Sequence, residues 1–192
     1  FALLQRLAHL GEGELLLLVK ELIAAQLVVE ESAERFAFRH ALTRQAIYGG
    51  LLARERAALH RLIAEETERC YADALDLHVA DLAYHYSEAG SWEHALEYAR
   101  RAGERALALG SPLAAVEQYS RALEAVDALG VRPSPALSLA RGRAYETLGD
   151  FDHARADYER ALELARTVHD VEATWQSMLD LGQLWASRDY QQ

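Results

Sequence analysis

The most informative stretch of this chain is residues 141–165, which read RGRAYETLGDFDHARADYERALELA. Residues of the same kinds lie 39 positions earlier. The matching pairs are Gly103 and Gly142, Gly110 and Gly149, Ala115 and Ala154, Tyr119 and Tyr158, and Ala122 and Ala161. A third glycine, Gly182, follows Gly142 after 40 positions. Spacing that recurs over about 20 to 50 residues is typical of proteins built from stacked, similar units.

The glycines predict how these units are built. Gly103 and Gly142 fall inside predicted helices, where glycine costs about 1 kcal/mol relative to alanine, so each needs a packing reason. A missing side chain lets a second helix approach closely, and Tyr119 and Tyr158 would fill the remaining space. The glycines seven positions later are predicted to end one helix before the next begins. The unit is therefore a helical hairpin, and the fold class is all-α.

The first 52 residues lack this repeat. Two predicted helices are followed by β-capable runs at residues 27–30 and 35–39, which a polar segment joins. A third helix would break or bend at Gly49 and Gly50. Helix, helix, hairpin, helix is the order of a winged-helix domain with a small β-hairpin.

Two domains are predicted: a partial winged-helix domain over residues 1–52, and helical repeats over residues 53–192, the last of them truncated. The candidate recognition helix carries three glutamates and a single lysine, Lys20, within residues 12–21. A helix that reads DNA normally presents arginine, lysine or amide side chains to the groove. We therefore expect a structural winged helix and no nucleic-acid partner.

Composition limits the classes of partner and compartment. The net charge of −10 argues against non-specific binding to nucleic acid or to anionic membranes, because both need a basic surface. A single cysteine, Cys70, excludes an internal disulfide framework and fits a reducing cytosol. No apolar run reaches the length of a membrane span. We expect a cytoplasmic protein without a membrane partner.

Motifs that would indicate catalysis are missing from the sequence. It contains no GxxxxGK[ST] phosphate loop, no HExxH zinc motif and no GxSxG nucleophile elbow. His78 and His85 are too far apart to hold one metal ion without a third element. We therefore expect no enzyme activity, no metal and no cofactor within this chain.

Residues 141–165 resemble the tetratricopeptide repeat. The matching residues are Gly142, Tyr145, Gly149, Phe151, Ala154, Tyr158 and Ala161. A degenerate copy runs through Tyr86, Gly90, Trp92, Ala95 and Ala102. Because Gly90 lies only 20 residues before Gly110, one helix at about residues 93–109 must pack on both sides. The resemblance implies a right-handed α-solenoid of tetratricopeptide-like hairpins.

A second resemblance covers nearly the whole chain. It rests on residues 11–31, 36–52, 56–66 and 82–110, which are similar to the junction between winged helix and helical repeats in large bacterial signalling ATPases of the STAND class. These include MalT-like and large LuxR-type transcriptional regulators. The resemblance implies that the chain is a piece of a larger regulator, and that ATP or ADP binds to the intact protein.

His40 is the one residue to which this resemblance gives a nucleotide role. It lies at the predicted strand-to-helix junction, where related proteins place a histidine that touches the phosphate of the bound nucleotide. An imidazole beside a helix N-terminus can donate to an anion. The alternative is a histidine that caps the helix or packs in a core.

The repeats also predict a binding surface. Side chains on the first helix of each hairpin would line a concave groove, and grooves of this kind bind peptides or proteins. The candidate lining residues are Tyr84, Arg100, Glu104, Arg143 and Glu146. The expected partner is a protein, a peptide or a small effector. The predicted function is a regulatory sensor within a signal-transducing ATPase; the alternatives are a passive scaffold and an accessory region of a cyclase or kinase.

Overall fold

The computed structural model describes residues 1–189, with side chains up to residue 186. Its contacts divide the chain into two compact units, one of residues 1–75 and one from Asp76 on. The amino-terminal unit contains α1 (Ala2–Ala8), α2 (Glu12–Ala24), β1 (Val28–Ser32), β2 (Arg35–Phe38), α3 (Ala41–Gly50) and α4 (Ala53–Cys70). After a short 3₁₀ segment (Ala72–Leu77), the carboxy-terminal unit contains α5 (Val79–Glu88), α6 (Trp92–Ala108), α7 (Pro112–Leu129), α8 (Pro135–Thr147), α9 (Phe151–Thr167) and α10 (Val171–Asp189).

The amino-terminal unit has the predicted order of elements. Its two strands form an antiparallel hairpin in which Val28 pairs with Phe38. Helix α2 begins where the carboxylate of Glu14 accepts a hydrogen bond from the backbone N–H of Gly11, at 3.1 Å. This hydrogen bond gives a partner to a backbone N–H group that has none within the helix. It also places a negative charge at the positive end of the helix dipole. The mostly helical fold and the small two-stranded sheet are confirmed.

The boundary between the compact units lies further along the chain than the predicted domain boundary at residue 52. Helix α4 packs against α1 and belongs to the amino-terminal unit. His60, Ala64, Glu66 and Thr67 are its buried residues, and Arg6 of α1 lies 3.5 Å from the buried carboxylate of Glu66. The periodicity of α4 is that of an ordinary amphipathic helix, so the sequence does not show to which unit it belongs.

Glycines end the first four helices of the carboxy-terminal unit. Gly90, Gly110, Gly130 and Gly149 have φ angles of 67°, 70°, 63° and 76°. This left-handed conformation strains other residues, and it lets the chain leave a helix in a tight reversal. The prediction for Gly110 and Gly149 is confirmed. Ser111 and Ser134 occupy the predicted N-cap positions, but only the hydroxyl of Ser134 accepts a capping hydrogen bond.

The two glycines inside helices allow close contact between neighbouring helices. A Cβ atom at Gly103 would lie 2.7 Å from the ring of Tyr119, and one at Gly142 would lie 2.6 Å from the ring of Tyr158. Both tyrosines are buried, and the alanines around them are buried with them. The predicted packing of α6 on α7 and of α8 on α9 is therefore confirmed. At Gly182, in contrast, a Cβ atom would meet nothing within 4 Å.

Consecutive helices of this unit pack on each other along its length. Helix α6 contacts both α5 and α7, as the overlapping motifs predict, and α5 also reaches α7. Helix α10 packs on α9 and also reaches α8. The predicted truncated last repeat extends into residues 190–192, which lie outside the described residues.

Candidate functional site

Three helices and one loop of the carboxy-terminal unit enclose a cavity of about 290 Å³. The loop joins α7 to α8 and follows the reversal at Gly130. Most of the lining is apolar, with a few polar groups at the edge. The lining residues are Leu96, Arg100 and Glu104 of α6, Tyr119 and Val126 of α7, Val131, Arg132 and Ser134 of the loop, and Ala136, Leu137 and Ala140 of α8.

A second cavity, of about 340 Å³, lies on the other side of α8. It is lined by Ser134, Ala136, Leu139, Ala140, Arg143, Asp170, Glu172, Ala173 and Gln176. Because Ser134, Ala136 and Ala140 line both cavities, the two spaces adjoin across the first turns of α8. We call these two adjoining cavities the α8 groove. Its floor is made of small side chains, so an extended segment has room to lie across it.

Two of the three arginines that line the α8 groove form ion pairs within the chain. Arg100 donates to Glu104, four residues further along α6. Arg143 donates to the buried carboxylate of Asp180 through Nε at 3.1 Å and lies 3.0 Å from it through Nη2. Arg132 differs, because its guanidinium has no ion pair or hydrogen bond within the part of the chain that the structure describes. The first cavity therefore offers one guanidinium that is free to meet an acidic group, whereas the second cavity carries the carboxylates of Asp170 and Glu172.

A buried ion pair holds α8 against its neighbours and fixes the position of the groove. Arg141 binds both carboxylate oxygens of Asp157 on α9, each at 2.7 Å, and its Nη1 donates to the hydroxyl of Ser120 on α7 at 3.0 Å. The Asp157 side chain is only 5% exposed. The hydrogen bond to Asp157 raises the pKa of Arg141, which stays charged. One side chain thus joins three helices, and sequence reasoning did not identify it.

Two buried tyrosines, Tyr119 in the lining of the first cavity and Tyr158 between α8 and α9, remain protonated. Burial raises the pKa of Tyr119, and the nearby carboxylate of Glu104 adds to this effect. Burial also raises the pKa of Tyr158, as does the hydrogen bond that its hydroxyl donates to Glu146 at 2.7 Å. Each ring is therefore a neutral packing group at ordinary pH, and the hydroxyl of Tyr158 is also a hydrogen-bond donor.

The structure brings together three of the five predicted groove residues. Arg100 and Glu104 line the first cavity, and Arg143 lines the second. Tyr84 lies elsewhere, on α5, with the guanidinium carbon of Arg121 5.8 Å from its ring centre. Glu146 accepts the hydrogen bond from the hydroxyl of Tyr158 and lines neither cavity. Missing from the prediction was the loop at residues 131–134, whose position no periodic pattern indicates.

His40 occupies the N-cap position of α3 and is exposed. Its side chain makes no capping hydrogen bond. The alternative of a core histidine is therefore wrong. His40 takes the N-cap position only through its backbone conformation, because its imidazole caps no N–H group of α3. Its nucleotide role stays a prediction.

Two further features of the described residues bear on function. Among them, no three or more histidine, cysteine or acidic side chains are grouped closely enough to bind a metal ion. No helix in the described part of the chain has both the length and the apolar character needed to cross a lipid bilayer.

Comparison with known families identifies one repeat. Residues 135–168, which form α8 and α9, match the family model of the tetratricopeptide repeat. No curated protein is significantly similar to this chain. Helical repeats of this kind commonly mediate contacts between proteins. The matched helices include the floor of the α8 groove and both partners of the pair formed by Arg141 and Asp157.

Proposed function

We propose that the carboxy-terminal unit is a protein-binding module, with no catalytic role, that holds an extended peptide segment in the α8 groove. Its helices would continue the tetratricopeptide repeat as a right-handed α-solenoid. The observation that carries the proposal is the pair of adjoining cavities across the first helix of the matched repeat, beside an arginine without an internal partner.

The size and lining of the groove favour a peptide. The first cavity, of about 290 Å³, has room for one large apolar side chain, and the second cavity beside it leaves space for the residues that follow in an extended segment. Leu96, Val126 and Leu137 would contact that side chain. Arg132 would pair with an acidic residue next to it, because a guanidinium binds a carboxylate in a planar, two-point contact. The expected partner is thus a protein segment with an apolar residue beside an acidic one.

Selection from a displayed library of random 12-residue peptides tests this proposal. Peptides enriched on the whole chain should share an apolar residue beside an acidic one, and their synthetic forms should bind in calorimetric titrations. Ala136→Trp would fill the mouth of the groove and should weaken binding by about tenfold or more, since its ring would occupy the space of the peptide. The matched control is Ala156→Trp, at an exposed position of α9 outside both cavities.

Charge reversal gives a second comparison. Arg132→Glu should weaken the same peptides, whereas Arg160→Glu, on the exposed surface of α9, should not. If Ala136→Trp and Ala156→Trp bind the peptides equally well, the groove is not the binding site and the proposal fails.

We further propose that the whole chain is a sensor region of a STAND-class signalling ATPase. The observed order of α1, α2, the β-hairpin and α3, followed by a tetratricopeptide repeat, supports this proposal. The amino-terminal elements would be the end of a winged-helix domain. Peptide binding in the groove would shift the balance between ADP-bound and ATP-bound states of the intact protein. This chain itself would bind no cofactor.

His40 provides the test of the nucleotide link. Its exposed position at the start of α3 leaves the imidazole free to approach a phosphate. In the intact protein, His40→Ala should speed the release of ADP, measured with a fluorescent ADP analogue. Unchanged release would remove this role. If the intact protein has no phosphate-binding loop, the alternative that the repeats are a passive scaffold would be supported. If a cyclase or kinase domain lies beside this chain, the alternative of an accessory region of that enzyme would be favoured.

A further inference from the structure

The buried hydroxyl of Tyr119 has no hydrogen-bond partner within the part of the chain that the structure describes. Tyr119 is only 2% exposed, and its side chain lines the first cavity of the α8 groove. Ser87 and Ser138 also carry unpaired hydroxyls, and theirs are completely enclosed, whereas that of Tyr119 is not. The Tyr119 hydroxyl therefore reaches the surface of the cavity. Because a buried donor without an acceptor costs free energy, a ligand that supplies the acceptor would be favoured there.

The equivalent tyrosine of the next repeat shows what Tyr119 lacks. The hydroxyl of Tyr158 donates to Glu146 at 2.7 Å, and Glu146 stands four positions after the glycine that its ring contacts. In the repeat of Tyr119 the same position is Leu107, whose side chain has no polar atom. The two repeats thus share the buried ring but not the internal acceptor for its hydroxyl.

A carboxylate lies close to this hydroxyl. The ring carbon of Tyr119 that bears the hydroxyl would be 2.7 Å from a Cβ atom at Gly103, so the hydroxyl lies beside α6 at this point. Glu104 is the next residue of α6 and lines the same cavity. Its carboxylate accepts a hydrogen bond from Arg100 and, with about four acceptor positions in all, can accept others. The first cavity therefore offers one donor and one acceptor beside α6.

These two groups together fit a ligand that carries an aromatic hydroxyl. A hydroxyl can accept from Tyr119 and donate to Glu104 at the same time, because it has one hydrogen and two lone pairs. A carboxylate in this place would be repelled by the negative charge of Glu104. An amide would make the same two hydrogen bonds, but it would leave the apolar walls formed by Leu96, Val126 and Leu137 without a ring to contact.

We propose that the first cavity is a subsite for a tyrosine of the bound peptide, whose hydroxyl accepts from Tyr119 and donates to Glu104. This inference rests on the proposed peptide site and specifies its ligand: the large side chain beside the acidic residue is that of tyrosine. Tyr119 determines the specificity. The ring of a phenylalanine would also fit the cavity, but it would leave the hydroxyl of Tyr119 without an acceptor, and a site built to bind a hydroxyl discriminates against a ligand without one.

Two displayed libraries of 12-residue peptides test this inference. The libraries are identical except that the sixth residue is fixed as tyrosine in one and as phenylalanine in the other, with all remaining positions random. The whole chain should enrich binders mainly from the tyrosine library. In calorimetric titrations, the best tyrosine peptide should bind about tenfold more tightly than its phenylalanine form, because the second peptide leaves a buried donor unpaired.

A conservative substitution separates the hydroxyl of Tyr119 from its ring. Tyr119→Phe keeps the ring against Gly103 and removes only the unpaired hydroxyl, so this variant should lose most of the preference for the tyrosine peptide. Glu104→Ala should also reduce the preference. The matched control is Tyr158→Phe, which should keep the full preference, because the hydroxyl of Tyr158 is already paired and its side chain lines neither cavity.

Stability gives a second readout, without any peptide. Tyr119→Phe should not lower the free energy of unfolding, whereas Tyr158→Phe should lower it, because only the hydroxyl of Tyr158 has an internal acceptor. Urea denaturation followed by tryptophan fluorescence measures both variants. An equal loss in the two variants would mean that the hydroxyl of Tyr119 is satisfied within the chain, and it would overturn the proposal.

The binding outcomes distinguish this inference from the proposed peptide site. If Ala136→Trp weakens the selected peptides but their tyrosine and phenylalanine forms bind the unchanged chain equally well, the peptide site stands and the tyrosine subsite is overturned. If Ala136→Trp weakens no selected peptide, the peptide site fails and the subsite fails with it. A preference for tyrosine that Tyr119→Phe leaves intact would also overturn the subsite.

Discussion

The amino-terminal unit and the carboxy-terminal unit bury different kinds of residue. In the first, Leu15, Val19 and Ala64 are the buried apolar side chains, although the leucine-rich helix α2 runs through it. Leu17, in the same run, is 63% exposed. In the second unit, alanines and tyrosines fill the contacts between helices, and Tyr158 is completely buried.

The difference shows that the size of the apolar side chains does not determine the extent of the core. Alanine and glycine let two helix backbones approach, so that one tyrosine ring can fill the remaining space and touch both helices. A leucine on an unmatched helix face stays in water and contributes little. We therefore expect the carboxy-terminal unit to hold most of the stability. Its three tryptophans are the only ones in the chain, so their fluorescence reports on this unit alone.

The largest effect should come from removing a buried ring. Tyr158→Ala leaves a cavity between α8 and α9 and should lower the free energy of unfolding of the carboxy-terminal unit by about 3–5 kcal/mol. Leu17→Ala, in the amino-terminal unit, should change stability by less than about 0.5 kcal/mol because its side chain is already in water. Urea denaturation followed by tryptophan fluorescence measures the first change, and circular dichroism measures the second. Similar losses in both variants would contradict the comparison.

The next effect should come from the ion pair between α8 and α9. Asp157→Ala leaves the mostly buried guanidinium of Arg141 without its carboxylate, and we expect a loss of about 3 kcal/mol. The matched control is Asp152→Ala on the same helix, whose carboxylate is 73% exposed and should contribute less than about 0.5 kcal/mol. The same denaturation experiment measures both. An equal effect of the two variants would show that Arg141 does not depend on Asp157.

Glycine substitutions should act in opposite directions in the two units. Gly103→Ala forces the ring of Tyr119 to move and should lower the free energy of unfolding by about 1–3 kcal/mol. Gly13→Ala, in α2, meets no neighbour and should raise it by up to about 1 kcal/mol. Thermal unfolding followed by circular dichroism gives the sign of each change. A gain at Gly103 would mean that the contact with Tyr119 is looser than the structure indicates.

A last effect, absent at neutral pH, should appear only at alkaline pH. Because burial raises the pKa of Tyr119 and of Tyr158, the folded unit keeps protons that the unfolded chain releases above about pH 10. Below about pH 10, the two tyrosines should add no pH dependence to the free energy of unfolding of the carboxy-terminal unit. Above about pH 10, this free energy should fall by up to about 1.4 kcal/mol per pH unit for each tyrosine. Tyr158→Phe should reduce this slope relative to that of the unchanged chain. Equal slopes would argue against the role of Tyr158.

Features that depend on local spacing could be predicted from the sequence. Gly103 and Gly142 indicated close helix contacts, and Gly110 and Gly149 indicated helix ends, because glycine at these positions has a physical cost that needs a reason. The β-hairpin followed from alternation. The predicted order of helices and strands in the amino-terminal unit was correct because it too depends on local patterns in the sequence.

Features that depend on distant side chains could not be predicted. Arg141 reaches partners 16 and 21 residues away, and a sequence of many arginines gives no sign of which one is buried. The α8 groove depends on where the loop at residues 131–134 places Arg132. Helix α4 was assigned to the repeats, although it packs with α1 and its buried His60 forms a hydrogen bond with Tyr48 of α3. In each case the missing information is which helices meet.

Helix α6 serves as the second helix of one hairpin and the first helix of the next, since it contacts both α5 and α7. The 39-residue spacing of Gly103 and Gly142 nevertheless makes the pair of helices the repeating element, because the glycine lies on α6 and α8 and the tyrosine ring on α7 and α9. An engineered array that is lengthened or shortened by two helices at a time would therefore keep each glycine opposite its ring, whereas a change of one helix would not.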